Sequence, residues 1–204
     1  MLRLVATDGH RLAMIQRNVD IPQIDELDQG VILPRKGIHE LKKIAEDSEE
    51  NILLGFMDNS VVISRENTVV IMRLVNGDFP DYNRVIPKNN EDIATINRYL
   101  LLHVLRRMAI LLSEKSKGVK IELKRDKMEI SSSNPDVGDA HEEMEVTYAG
   151  PEMTIGLNAR YMIDIINALE CENIKLAVKD NMSPGLITPE GDDGFTSVIM
   201  PMRL

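Results

Sequence analysis

One compact polar cluster stands out among the 204 residues, Thr7-Asp8-Gly9-His10-Arg11-Leu12. Two chemistries fit it. In one, His10 is a general base oriented by Asp8, as a small hydrolase would need. In the other the segment is a turn, with Asp8 accepting backbone amides and Gly9 taking a positive φ. No nucleophile lies nearby in sequence, which favours the turn. Other catalytic signatures are missing: there is no GxxxxGK(S/T) phosphate loop, GxSxG elbow, HExxH pair or GxGxxG fingerprint. His10, His39, His103 and His141 show no ligand spacing. Asp192-Asp193, inside Pro189-Glu190-Gly191-Asp192-Asp193-Gly194, reads as a polar hairpin tip. Cys171 is the sole cysteine, expected to be inert at the end of an apolar helix. No catalytic residue, metal site or cofactor is expected.

The elements that carry these residues come in two copies. Leu33 through Ala45 reads as a helix, followed by Glu50-Asn51-Ile52-Leu53-Leu54 and a turn at Asp58-Asn59. Leu157 through Leu169 repeats the helix, followed by Glu172-Asn173-Ile174-Lys175-Leu176 and Asp180-Asn181. The offset is 124 at the helices and 122 at the turns, too long for a solenoid and suited to two copies of one domain. Val70-Ile71-Met72 aligns likewise with Val198-Ile199-Met200. Period-2 strands such as Ser60–Ser64 and Val119–Leu123 alternate with amphipathic helices. Leu2 through Gly9 aligns with Met128 through Pro135. Ahead of that strand the second copy carries about 35 residues and the first carries one. The chain is therefore expected to begin inside a domain and to be a fragment. Phe79 through Pro87, with a proline near each end, reads as the connector, giving domains 1–91 and 92–204.

Charge is unevenly placed. Lys plus Arg number 24 against 33 Asp plus Glu, a net charge of −9, so no basic excess of the whole chain points to nucleic acid. Acidic runs at Asp47-Ser48-Glu49-Glu50 and from Asp136 to Glu145 read as solvated loops or loop edges. Residues 34–46 hold four cations against two acids, and residues 97–117 five against one. On helical wheels Arg35, Lys36, His39, Lys42 and Lys43 share one side, with Ile38, Leu41, Ile44 and Ala45 opposite. Tyr99, His103, Arg106, Arg107 and Glu114 share the polar arc of a helix over 97–114, and Ile110 interrupts it. Either face could be an ordinary solvated one. Two of them in a repeated domain suggest a positive wall that tracks phosphate without reading bases. No apolar run reaches about 18 residues and no export signal opens the chain, so a cytoplasmic location is expected.

Four motifs in order carry a resemblance: Leu4 through Ala13, Pro34-Arg35-Lys36-Gly37, Gly77-Asp78-Phe79-Pro80-Asp81-Tyr82 and Met200-Pro201-Met202-Arg203-Leu204. Across essentially its whole length the chain resembles the beta sliding clamp family of bacterial DNA polymerase III. The resemblance implies an α+β fold of repeated clamp domains, with antiparallel sheets outside and helices lining one face. It implies three such domains per protomer, here the second and third, and a homodimeric ring around duplex DNA. The function implied is processivity without catalysis. Arg35, Lys36, Lys42, Lys43, Arg106 and Arg107 would face DNA, and Ile110 and Leu111 would meet the neighbouring protomer. With no first domain in this chain, a monomer or a loose dimer is expected.

The family also docks linear motifs of the DNA polymerase III alpha subunit, the clamp loader, other polymerases and repair proteins. The matching positions are Thr7, Gly9, His10, Arg11, Leu12, Pro80, Arg84, Val85, Asn158, Tyr161, Met182, Pro184, Val198, Met200, Pro201, Met202, Arg203 and Leu204. Leu12, Pro80, Val85, Val198, Met200 and Met202 would form an apolar cleft between the copies, and Arg11, Arg84, Asn158 and Tyr161 its polar edges. Burying two or three large apolar side chains, at roughly 1.5–3 kcal/mol each less ordering costs, implies about micromolar affinity. Ser116 and Pro184 depart from the family pattern, an aromatic and a serine respectively, and bear on peptide preference. A recruitment module that never surrounds DNA would use the same cleft, and a hydrolase built on Asp8 and His10 is the third reading.

Overall fold

The computed structural model describes residues 1–19, 30–46, 51–88, 90–112 and 118–203. In chain order the elements are β1 (Leu2–Thr7), β2 (Arg11–Arg17), α1 (Arg35–Glu46), β3 (Leu53–Met57), β4 (Ser60–Arg65) and β5 (Thr68–Arg73). A 3-10 turn (Tyr82–Arg84) leads to β6 (Asp92–Asn97), α2 (Arg98–Leu111), β7 (Gly118–Lys124), β8 (Lys127–Asn134) and β9 (Gly138–Glu145). Then come β10 (Met153–Asn158), α3 (Ala159–Asn167), β11 (Asn173–Val178), β12 (Gly185–Pro189) and β13 (Phe195–Ile199). All named strand pairs are antiparallel, and the fold is α+β.

The chain divides into two compact units, a larger one of residues 1–19 with 82–204 and a smaller one of 20–81. The copies in the sequence are divided at 91/92, but β1 and β2 cluster with the later residues. The reason is backbone bonding: β2 pairs with β13, which places the hairpin at one end of a sheet ordered β1-β2-β13-β12-β11-β6.

In the larger unit, α2 forms because Leu101, Val104, Leu105 and Met108 recur at helical spacing and are all buried. The Asn97 side chain accepts from the Leu100 amide at 3.1 Å to cap its first turn. Asn134 Nδ2 donates to the Leu111 carbonyl at its last, at 2.6 Å. Asn158 does the same service for α3, accepting from the Arg160 and Tyr161 amides. Each helix thus springs directly from a strand through an asparagine. Arg98, buried, donates from Nε to the Cys171 carbonyl at 2.7 Å and ties α2 to the segment after α3. Cys171 is half-buried against the core. One continuous core joins α2 and α3 to the six-stranded sheet and to the sheet ordered β10-β7-β8-β9.

The acidic run from Asp136 to Glu145 is a correction to the sequence reading: residues 138–145 are strand β9, not loop. Ala140 and Met144 pack inward, and its acids find cations, Glu142 on Arg107 and Glu143 on Lys127. Two of the five acids in the run are thus paired, while Asp136, Asp139 and Glu145 are exposed. The Asp47–Glu50 run lies outside the described residues.

In the smaller unit, Val61, Ile63 and Met72 are buried, with Leu33, Leu41, Ile52, Phe56, Val70 and Leu74 packed on them. Ile38 and Ala45, expected on the apolar side of α1, are exposed. Register also shifts the repeat by one residue. Val70 stands opposite Ile63 as Ser197 stands opposite Ile187, so Met72, not Ile71, matches Ile199. The inward-facing residues of the two sheets then coincide.

Gly194 is the tightest backbone approach. A Cβ there would lie 2.6 Å from the Gln16 carbonyl and 2.1 Å from Arg17 Nη1. Gly194→Ala should destabilise the larger unit by about 1–3 kcal/mol, seen as a lower thermal midpoint. An unchanged midpoint would contradict this placement of the 190–194 turn beside β2.

Candidate functional site

Strand alternation gives the six-stranded sheet two different faces. Phe195, Ser197 and Ile199 point to the helix side, where Ile187, Leu176 and Ile174 join the core. The other face carries a row in register: Thr7, Leu12, Val198, Leu186 and Ala177. Leu12 and Val198 are 3% and 1% exposed yet belong to neither core cluster. They form an apolar floor on the face away from the helices.

Several segments converge on that floor. Arg3 lies on the same face and donates from Nη1 to the Tyr82 hydroxyl at 3.0 Å, which brings the 82–86 turn, with exposed Arg84 and Val85, to this side. The Met200 amide donates to the His10 carbonyl at 3.0 Å, and the Met202 amide to the Gly156 carbonyl at 2.8 Å. The chain end therefore runs from the β1–β2 turn to β10, with Met200 exposed and Pro201 and Met202 half-buried. Met182 is 69% exposed on a turn fixed by Asp180, which accepts from the Met182 and Ser183 amides. The Pro184 carbonyl accepts from Asn90 Nδ2. Arg203 is exposed, Pro80 belongs to the smaller unit, and Leu204 and Ser116 lie outside the described residues.

The Thr7–Leu12 cluster is a turn. Asp8 Oδ1 accepts from the His10 and Arg11 amides, each at 3.0 Å, and Gly9 has φ +85°. Thr7 Oγ1 donates to the Arg11 carbonyl at 2.8 Å. Asp8 Oδ2 accepts from Arg11 Nε, so none of these bonds reaches the His10 imidazole. Partial burial opposes ionisation of Asp8, but the two amides and the guanidinium outweigh it and hold the carboxyl below the ordinary aspartate range. Arg11 also donates from Nη1 to Asp164 Oδ2 at 2.6 Å and lies 4.2 Å above the Tyr161 ring. Asn158 is buried and spends its side-chain oxygen on the α3 cap, which fixes where Tyr161 stands.

Both copies match established domain families. Residues 1–81 match the central domain, and residues 83–203 the C-terminal domain, of the DNA polymerase III beta subunit. The chain belongs to the beta sliding clamp family. The beta sliding clamp of Haemophilus influenzae is 38% identical over 205 residues, covering 100% of this chain and 55% of that protein. A crystal structure of the DNA polymerase III subunit beta from Pseudomonas aeruginosa superposes with a TM-score of 0.93 at 33% identity, over 98% of this chain and 55% of the other. Another from the same organism, a sliding clamp bound to griselimycin, gives 0.92 at 34% identity over 99% and 54%. The chain spans about half the length of the curated relatives it matches.

The two helices named as the basic wall of a clamp differ in how their cations are held. On α1, Arg35, Lys36, Lys42 and Lys43 are exposed, and Lys43 pairs with Glu40 at 3.0 Å. On α2, Arg106 donates to Asn167 Oδ1 at 3.2 Å, and Arg107 makes a two-pronged pair with Glu142 of β9. Ile110 is 80% exposed and Leu111 half-buried. Sequence reading missed Glu142 because its partner is distant in the chain. It missed Asp164 too, although its i, i+3 spacing from Tyr161 on one helix was a usable signal.

The hydrogen bond from Arg107 holds the Glu142 carboxyl below its ordinary value of 4.5, the guanidinium charge adds to this, and partial burial opposes it. The pair therefore contributes stability above about pH 4.5 and loses it as the pH falls through the lowered value. Glu142→Gln should be less stable than wild type at pH 7 in urea denaturation, with the gap closing as the pH falls below 4.5 through the lowered value. A gap that stays constant with pH would rule out this linkage.

Proposed function

We propose that this chain is the part of a replicative sliding clamp that docks the linear motifs of its clients. The observation that carries the reading is the pair Leu12 and Val198, apolar residues buried on the sheet face that the core does not use, beside the chain end, with Arg11 on the other face of the same strand end and held against α3. Apolar side chains of an extended peptide would seat on this floor, and methionines at 182, 200 and 202 would adapt to different clients. Arg84 and Val85, on the 82–86 turn, complete the contact set. The clients are the DNA polymerase III alpha subunit, the clamp loader, other polymerases and repair proteins. Calorimetric titration of a Gln-Leu-aromatic peptide tests the reading: binding near micromolar supports it, and no binding refutes it.

The domain assignment that accompanies this reading is 1–91 and 92–204. The full-length protein would close as a homodimeric ring on duplex DNA in the bacterial cytoplasm, with Ile110 and Leu111 at the contact. Its role is non-catalytic: it holds the polymerase by topology. Arg35, Lys36, Lys42, Lys43, Arg106 and Arg107 would meet phosphate without base readout. Arg107 already has a carboxylate, so phosphate must compete with Glu142 for it. Glu142→Gln should strengthen duplex binding and steepen the slope of log K against log salt by about 0.9, one more phosphate contact. An unchanged slope would remove Arg107 from the DNA-facing set.

A further inference from the structure

We propose that Asp164 is a specificity-determining residue of the peptide cleft: together with Asp8 it cancels the charge of Arg11 and fixes its guanidinium on Tyr161, so that the cleft favours neutral peptide acceptors over carboxylates. The inference rests on the peptide-docking reading above.

An exposed arginine at the end of the strand that carries Leu12 would ordinarily recruit a carboxylate, because its planar fork matches that group in a bidentate pair. Arg11 is already engaged from inside the protein, with one bond to each of two carboxylates. Nε donates to Asp8 at 3.1 Å, Nη1 to Asp164 at 2.6 Å, and the guanidinium plane covers the Tyr161 ring at 4.2 Å. Two carboxylates against one guanidinium leave the group with a net negative charge. Among the described residues Nη2 makes no hydrogen bond to protein, and the side chain is 31% exposed. An incoming carbonyl can take the Nη2 donor, whereas an incoming carboxylate meets Asp8 and Asp164 first.

Position makes Asp164 the deciding partner. Asp8 sits in the same turn as Arg11 and is also spent on the His10 and Arg11 amides. Asp164 comes from α3, one helical turn beyond Tyr161, so one helix supplies both the ring under Arg11 and the charge at its end. It is exposed, and among the described residues its carboxylate bonds Arg11 alone, so replacing it leaves the fold's core untouched.

The test compares one Gln-Leu-aromatic peptide made with a C-terminal amide and with a free carboxylate. Wild type should prefer the amide. Asp164→Asn, which keeps shape and an acceptor but loses the charge, should shift the ratio of the two dissociation constants toward the carboxylate by at least about fivefold. Asp164→Glu should restore the wild-type ratio. A purely structural role would weaken both peptides alike, so a ratio unchanged in Asp164→Asn overturns the assignment while the cleft stands. Failure of wild type to bind either peptide overturns the cleft, and the assignment with it.

Discussion

Truncating Leu105 to alanine should lower the unfolding free energy of the larger unit by about 3–4 kcal/mol, read as a fall in urea midpoint at unchanged slope. Leu105 has no exposed surface and lies in the middle of α2, in the one core that joins the two sheets of this unit. Its surroundings are strands and helices bonded in register on several sides, and such walls relax little into a void. The cost therefore exceeds the transfer of the lost methyl groups and includes most of the cavity. A loss below about 1 kcal/mol would mean that the helix does not seat as described.

The second large effect is on binding. Deleting residues 202–204 should weaken a Gln-Leu-aromatic peptide at least tenfold, about 1.4 kcal/mol. The Met202 amide ties the chain end to β10, the last such backbone bond among the described residues, and Met200 is held to the β1–β2 turn by its own. Without the outer tie, Met200 and Pro201 lose their fixed place beside Val198, and the peptide must order them as well as itself. Isothermal calorimetry that gives equal affinity for the shortened chain would remove the tail from the site.

Local signals were legible in the sequence where one element sets its own pattern. The strands at 60–64, 119–123 and 196–200 and the three α-helices among the described residues follow from alternation or helical spacing, and the two asparagine caps sit where strand turns into helix. The Thr7–Leu12 turn was readable from Asp8 and Gly9 alone. What sequence concealed is everything set by distant pairing. Residues 138–145 look like an acidic loop until Arg107 and Lys127 are placed opposite them. The alignment of Val70 with Val198 fits by residue type, yet pleat direction moves it by one. Arg11 read as a polar edge of the cleft, and only the tertiary fold brings Asp164 to it across 153 residues.

The bonding of β2 to β13 also has a consequence for biosynthesis. Arg17 leaves the ribosome well before Phe195, the residue whose strand completes its sheet. At about 5–20 residues per second the β1–β2 hairpin waits roughly 10–40 s for its neighbour. Through that interval Leu12, buried at the end, faces solvent on a two-stranded ribbon that is marginal alone. The face that carries Leu12 and Val198 is thus the last part of the sheet to close, and the nascent chain presents it to any chaperone before its own strands can cover it.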